Sequence, residues 1–189
     1  HSYQEYVATG QGLVLIPTGA TEQHGPHMPL GVDAMLSRAI CTAAAEDLDA
    51  LVAPAFCYGY KSQPRSGGGN HRAGTTSLSA QALIAQTKDV VLEFFRHGVR
   101  RIEVVNGHFE NYQFLYEGLD LAVRQARSLG LDDSRAMLGC SAATATRVKP
   151  TRNGTSSHSE PVSRPCAPIH AYPTSPMSSA VIPAANSRK

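Results

Sequence analysis

Residues 12–33 read GLVLIPTGATEQHGPHMPLGVD, and this stretch decides how the rest of the chain is interpreted. Its first five residues form a short apolar run, which predicts a buried strand over 12–16 that Pro17 and Gly19 end. A loop rich in His, Pro and Gly follows. Asp33 then occupies the position of a helix N-cap, and we expect a helix from Ala34 to Leu48. Its predicted apolar face comprises Met35, Leu36, Ala39, Ile40 and Ala43.

Strands and helices alternate through the following hundred residues. We expect a strand over 51–53, a helix from the cap Ser79 to His97, a strand over 102–105 and a helix over 112–128. Gly98 and Gly130 stand where these helices should end. This alternation predicts an α/β fold with a mainly parallel sheet, in which ligands bind beyond the carboxyl ends of the strands.

Two segments depart from this pattern. Residues 54–77 contain five Gly and two Pro without a clear helix or strand, and a loop of this length in a compact domain is usually functional or disordered. Residues 134–189 contain 31 Ser, Ala, Pro or Thr among 56 residues and lack apolar periodicity. We therefore expect a globular domain over 1–133 and a low-complexity tail over 134–189, disordered or poorly packed.

The charge distribution follows the same division. The tail holds seven Lys or Arg against one acid, whereas the front holds ten against fourteen, so net charges of +6 and −4 sum to +2. The basic residues of the tail are scattered and Tyr172 is its only aromatic residue, which argues against nucleic-acid binding. Neither a membrane span nor a signal peptide is recognisable, and the four cysteines form no C-x-x-C pair. We expect a cytoplasmic protein, and because the chain begins at His1 we expect an N-terminal stretch to precede it.

Two polar clusters carry the candidate chemistry. The first contains Glu22 and His24, and the second, within Asn106-Gly-His-Phe-Glu-Asn111, contains His108 and Glu110. In extended backbone, residues two apart point to the same side, and both clusters directly follow predicted strands. Asp33 can supply a third carboxylate. Mixed His and carboxylate ligands suit zinc and manganese, and a pair of such ions can activate water and polarise a carbonyl.

Each residue also has an ordinary structural explanation. Asp33 alone is more often an N-cap, Glu22 or Glu110 alone a solvated acid, and a single histidine a surface or packed side chain. The combination of five ligand-type residues at two strand ends favours a site. From the residues alone, a metal hydrolase and a purely structural arrangement both stay open.

A family resemblance adds to this interpretation. Residues 16–33 and 106–111 resemble the two signatures of the creatininase family, and the loop over 58–78 resembles that of its creatinine-hydrolysing members. The resemblance covers about residues 12–131 and implies a three-layer α/β/α fold whose C-terminal part is here missing or replaced. It implies that Glu22, Asp33 and His108 bind one metal ion, often manganese. The other ion, usually zinc, would be bound by His24, Asp33 and Glu110, so that Asp33 bridges the two.

The resemblance also implies an activity. Members hydrolyse a cyclic amide, and creatinine, which opens to creatine, is the expected small-molecule substrate. His108 and Glu110 are the expected catalytic residues, and Ser66, Gly67, Gly68 and Gly69 would border the substrate. A homohexamer is implied as well. Alternatives within the family are a formamido-pyrimidine deformylase and a peptide-cleaving enzyme. The loop over residues 58–77 argues against both.

The tail departs from the family pattern. The creatinine-hydrolysing members have tryptophans in the pocket and a proton-transferring histidine in a Glu-His-Gly-Gly-like stretch. This chain has no tryptophan and no such stretch. His158 and His170 have the wrong neighbours and receive no role. A frameshift near residues 131–136 would explain an intact front with an unrelated tail. The alternative from a different class is a non-catalytic remnant that keeps the metal ligands only.

Overall fold

A computed structural model describes residues 2–63 and 69–140 of the chain. Its four strands are β1 (Leu13–Thr18), β2 (Leu51–Val52), β3 (Arg101–Asn106) and β4 (Arg135–Cys140). They form one sheet in the order β2-β1-β3-β4, and every neighbouring pair is parallel. The parallel α/β architecture predicted from the sequence is therefore confirmed.

Four helices connect or precede these strands. They are α1 (Tyr3–Ala8), α2 (Val32–Leu48), α3 (Ala80–Arg96) and α4 (Tyr112–Ser128). The Ser79 hydroxyl accepts a hydrogen bond from the backbone of Ala82 and so caps α3 as expected. Helix α1 was not predicted, and it begins with a capping box in which Ser2 and Glu5 satisfy each other's backbone N–H groups.

The helices lie on both faces of the sheet. Alternate residues of β1 and β3 face opposite sides, as the pleat requires. Val14, Ile16 and Val104 belong to the larger core that α3 and α4 complete with residues such as Leu83, Phe95 and Leu115. Leu15 and Val105 pack instead with Cys41, Ala44 and Ala45 of α2. The result is the three-layer α/β/α arrangement that the family resemblance implied.

Two predictions about α2 are wrong. Its N-cap is Gly31, so Asp33 lies within the first turn and is not the capping residue. The buried face consists of small residues, namely Ala34, Ser37, Cys41, Ala44 and Ala45. Met35 and Leu36 of the predicted face are 59% and 53% exposed. The helix is apolar on several sides, and small side chains allow it to approach the sheet closely, so the bulkier residues lie outside.

The described structure continues past the boundary predicted at residue 133/134. Strand β4 pairs with β3 over six residues, and its Ala136 and Leu138 pack against the main core. The remaining predicted tail, 141–189, lies outside the described residues, as do the predictions made for it. Among the helices of the described part, none is long and apolar enough to cross a membrane.

Candidate metal centre

The two polar clusters meet at the carboxyl edge of the sheet. β1 and β3 are hydrogen-bonded neighbours, and their last residues, Thr18 and Asn106, are paired in register. The chain segments that follow them therefore start side by side. This position beyond the carboxyl ends of parallel strands is where α/β proteins place their ligands.

The segment after β1 is held by hydrogen bonds to three other parts of the chain. Glu22 N donates to Leu30 O at 2.8 Å, and Thr76 N donates to Thr21 O at 3.0 Å. The Thr21 hydroxyl donates to Cys57 O at 2.8 Å. These contacts anchor the peptide units around Glu22, a buried residue that is 6% exposed. A loop without regular structure thus presents its carboxylate from a fixed backbone.

Two glycines bring the first turn of α2 against both strand ends. A Cβ on Gly19 would lie 2.2 Å from Ala34 N and 2.6 Å from the carbonyl carbon of Asp33. A Cβ on Gly107 would lie 2.3 Å from Ser37 Oγ and 2.6 Å from Asp33 O. Any other residue at these positions would push α2 outward. This close approach places Asp33 between the two clusters.

The Asp33 carboxylate faces both histidines, one with each oxygen. Its Oδ2 lies 3.0 Å from His108 Nδ1, and its Oδ1 lies 3.4 Å from His24 Nε2. Glu22 Oε2 lies 3.5 Å from the same His108 nitrogen and 3.9 Å from the same His24 nitrogen. Ligand atoms of Glu22, His24 and Asp33 all lie within 4.8 Å of one another, a spacing that could hold a metal ion.

The other nitrogen of each imidazole approaches a backbone carbonyl. His24 Nδ1 lies 3.0 Å from Glu22 O, and His108 Nε2 lies 3.0 Å from Tyr60 O. A carbonyl oxygen can only accept, so in the neutral rings these nitrogens carry the proton. The nitrogens that face Asp33 and Glu22 then present lone pairs to carboxylates. Such an arrangement is unfavourable unless the ring is protonated or a cation lies between the groups.

Glu110 has a different position from the one expected. It lies in a 3-10 turn (Phe109–Asn111) rather than in extended backbone. Its Oε2 is 3.4 Å from His108 Nε2, the nitrogen turned away from Asp33. The extended geometry assumed for the pair His108 and Glu110 is therefore wrong, although the two side chains are adjacent.

Carboxylates dominate the electrostatics of the site. Burial alone would lower the pKa of His108, but the hydrogen bond that the protonated ring donates to Asp33 and the charges of Asp33, Glu110 and Glu22 outweigh it, so this pKa is raised. The three carboxylates line a cavity of about 790 Å³. Among the described residues, Arg72 is the only lysine or arginine that lines it. Three carboxylates against one arginine, among the described lining residues, make the cavity acidic, which favours a cation.

The substrate-loop residues predicted from the sequence are only partly described. Ser66, Gly67 and Gly68 lie outside the described residues. Gly69 is described, with φ of +145°, and a Cβ there would meet the His71 ring at 2.7 Å. The cavity lining includes Ser62, Arg72 and Phe109, which the sequence reasoning did not select. Phe109 is 87% exposed beside a polar cluster, and the sequence alone could not reveal this exposure.

Fold and site together define the class of protein: a parallel α/β domain with a histidine and carboxylate pocket at its strand ends. The sequence model of the creatininase family, described as creatinine amidohydrolase, matches residues 1–175. The chain belongs to the creatininase family. This match extends beyond the range 12–131 that the signatures alone indicated.

Characterised relatives have the names of hydrolases. The chain is 47% identical over 136 residues to the creatinine amidohydrolase of Pseudomonas putida, covering 72% of this chain and 52% of that protein. It is 37% identical over 131 residues to the mycofactocin precursor peptide peptidase of Mycobacterium ulcerans, covering 63% of this chain and 47% of that protein. The chain thus spans about half the length of the curated relatives it matches.

Solved structures give the same fold. A creatininase described with Mn superposes with a TM-score of 0.70 at 47% identity, covering 72% of this chain and 53% of that chain. A mutant creatininase of the Zn-Zn type has a TM-score of 0.70 at 46% identity, with coverages of 72% and 53%. A mutant creatininase complexed with creatine has a TM-score of 0.68 at 45% identity, with coverages of 73% and 54%.

Proposed function

We propose that the described domain holds two divalent metal ions and belongs to an amidohydrolase that opens creatinine to creatine. The observation that carries the metal centre is the orientation of its two imidazoles. Each has one nitrogen on a backbone carbonyl and directs the other at Asp33 and Glu22. Metal-binding histidines characteristically donate their second N–H to a carbonyl or carboxylate in this way.

The donor set fits zinc and manganese. Imidazole nitrogens and carboxylate oxygens are ligands of both ions, and relatives of this family have been solved in Zn-Zn and Mn forms. The two oxygens of Asp33 face different imidazoles, which supports a bridging role. Two divalent ions held by these residues would supply an acidified water and polarise the substrate carbonyl.

Each proposed ligand has its own structural support. Glu22 and Asp33 approach His108 Nδ1, consistent with one set comprising Glu22, Asp33 and His108. The second set comprises His24, Asp33 and Glu110. Glu110 is the ligand with the least support, because its carboxylate must turn from His108 Nε2 toward Asp33 to join that set. Because its carboxylate lies beside the His108 imidazole, Glu110 can also act as a base. Glu110 and His108 therefore both stay proposed catalytic residues.

Creatinine is proposed as substrate because of the Pseudomonas relative and the creatine-bound structure. The peptidase relatives favour a second candidate, cleavage of a modified peptide. The cavity of about 790 Å³ lies within the roughly 300–1,000 Å³ typical of ligand pockets and could accept either class. A homohexamer and a cytoplasmic location stay predictions from the family resemblance.

Creatine formation by the full chain with zinc and manganese tests this function. The chain lacks the tryptophans and the Glu-His-Gly-Gly-like stretch of creatinine-hydrolysing members. Because a positioned acid or base typically contributes about 10²–10⁴-fold, we expect turnover reduced by that factor relative to the Pseudomonas enzyme. Glu22→Gln should abolish the residual activity, whereas Glu46→Gln, an exposed carboxylate on α2, should leave it unchanged.

The outcomes separate the candidates. Creatine release that depends on Glu22 supports the amidohydrolase. Metal binding without creatine release supports the non-catalytic remnant, provided that the assay can detect turnover below the reduced rate expected above. Cleavage of a peptide amide without creatine release would support the peptidase-like alternative.

A further inference from the structure

The side chain of Asn111 lies at the junction of three chain segments that build the proposed metal centre. It is fully buried, and its Oδ1 accepts a hydrogen bond from Tyr60 N at 2.7 Å. Its Nδ2 donates to Gly19 O at 2.9 Å and to Asn106 Oδ1 at 3.3 Å. The orientation of the amide is unambiguous, because a backbone N–H can only donate and a backbone carbonyl can only accept.

These bonds reach His108 from two directions. Asn106 Nδ2 donates to His108 O at 2.7 Å, and its Oδ1 accepts from His108 N at 3.1 Å. Asn106 therefore fixes the backbone of His108, and Asn111 fixes Asn106. On the other side, Tyr60 is held by Asn111 through its N–H, and its ring packs on Phe114 with centroids 4.2 Å apart.

The carbonyl of Tyr60 is the acceptor for His108 Nε2 at 3.0 Å. In the neutral ring, that bond favours the tautomer with its proton on Nε2, and it fixes how the ring is turned. The packing around Asn111 also indicates a fitted site. A Cβ on Gly59 would lie 2.6 Å from Asn111 Oδ1 and 2.6 Å from Gly19 O. Only glycine therefore fits at this position, which directly precedes Tyr60.

We propose that Asn111 is a positioning residue of the metal centre. It holds the Tyr60 carbonyl against the Nε2–H of His108 and thereby directs the Nδ1 lone pair at Asp33 and Glu22. Asn111 does not itself contact the ions. This inference rests on the proposed function, since a ligand role for His108 gives the orientation its purpose.

The test uses the full chain and two measurements. The first is zinc affinity by competition with a chromophoric chelator. The second is the ¹⁵N spectrum of the zinc-bound protein, in which the chemical shift of His108 Nε2 reports its hydrogen bond to Tyr60 O. Asn111→Ala should weaken zinc binding by about 10–100-fold, the usual effect of losing a group that orients a metal ligand. The ¹⁵N signature of His108 should change, because the Tyr60 carbonyl is no longer held against its Nε2–H.

Thr87→Ala is the matched control. Thr87 is also fully buried, and its hydroxyl donates to Leu83 O within α3, away from the site. Its loss should lower the melting temperature while zinc affinity and the His108 signature stay as in the wild type. If Asn111→Ala does not fold, Gly59→Ala displaces Asn111 without removing it and should give the same two changes in milder form.

Three results would overturn the inference, and they are distinguishable. Wild-type zinc affinity and an unchanged His108 signature in a folded Asn111→Ala or Gly59→Ala variant would refute the positioning role alone. An equal loss of affinity in Thr87→Ala would reduce Asn111 to a general contribution to stability. If the Asp33→Asn variant binds zinc with the affinity of the wild type, the metal centre itself is refuted, and the positioning role with it.

Discussion

Replacing Gly19 by alanine tests how the fold holds Asp33 in the site. The added Cβ would lie 2.2 Å from Ala34 N, whereas ordinary contacts begin at 3.4 Å, so backbone must separate by about 1.2 Å. The atoms involved are backbone on both sides, and no side chain can rotate away. Overpacking of this kind typically costs about 1–3 kcal/mol. The same displacement would move Asp33, whose Oδ2 lies 3.0 Å from His108 Nδ1.

We therefore expect Gly19→Ala to lower both thermal stability and zinc affinity. Urea unfolding gives the free energy of unfolding, and chelator competition gives the affinity. Gly31→Ala is the matched control, because it stands at the start of the same helix with φ of −92° and its Cβ would meet no described atom within 4 Å. A Gly19→Ala protein as stable as the wild type, with unchanged zinc affinity, would refute the close-approach argument.

Three further predictions concern ligands, pH and thiols. Asp33→Ala should cost both metal ions because it removes the bridge, whereas His24→Ala should cost one; elemental analysis decides, and unchanged stoichiometry in Asp33→Ala would contradict bridging. The raised pKa of His108 means that its protonated form stabilises the metal-free fold at low pH and that this contribution is lost as pH rises through the raised pKa. Zinc needs the neutral ring, so its affinity should rise over the same interval, which titrations at a series of pH values would show; an affinity independent of pH there would contradict it. Burial, with a smaller contribution from Glu103, raises the pKa of Cys41 to about 12, so native protein should be alkylated at the exposed Cys57 and not at Cys41, as peptide mass spectrometry would show.

The elements that sequence reasoning located well have strong local signals. Helix α3 begins after a serine cap, and helix α4 has its apolar residues on one face, so both were predicted close to their observed bounds. The rule that parallel strands present their carboxyl ends at one edge of the sheet predicts that the segments after β1 and β3 lie together. The same rule predicts that Glu22, His24 and His108 meet, as the structure shows.

The remaining features depend on contacts that no local pattern encodes. Helix α2 is rich in alanine, so its periodicity did not distinguish the buried Ala34 and Ala44 from the exposed Met35. Strand β4 was missed because Arg135–Cys140 has few residues typical of strands and stands where the composition changes. The Tyr60 carbonyl that orients His108 is a backbone group 48 residues away in sequence, and side-chain patterns do not reveal it.

Diffraction at the zinc and manganese absorption edges, from crystals of the full chain loaded with both ions, tests the proposed metal centre most directly. We expect two anomalous peaks about 3.5–4 Å apart on either side of the Asp33 carboxylate. One should lie beside His108 Nδ1 and Glu22, and the other beside His24 Nε2. Peaks elsewhere on the protein, or a site at Asp33 without anomalous signal at either edge, would contradict it.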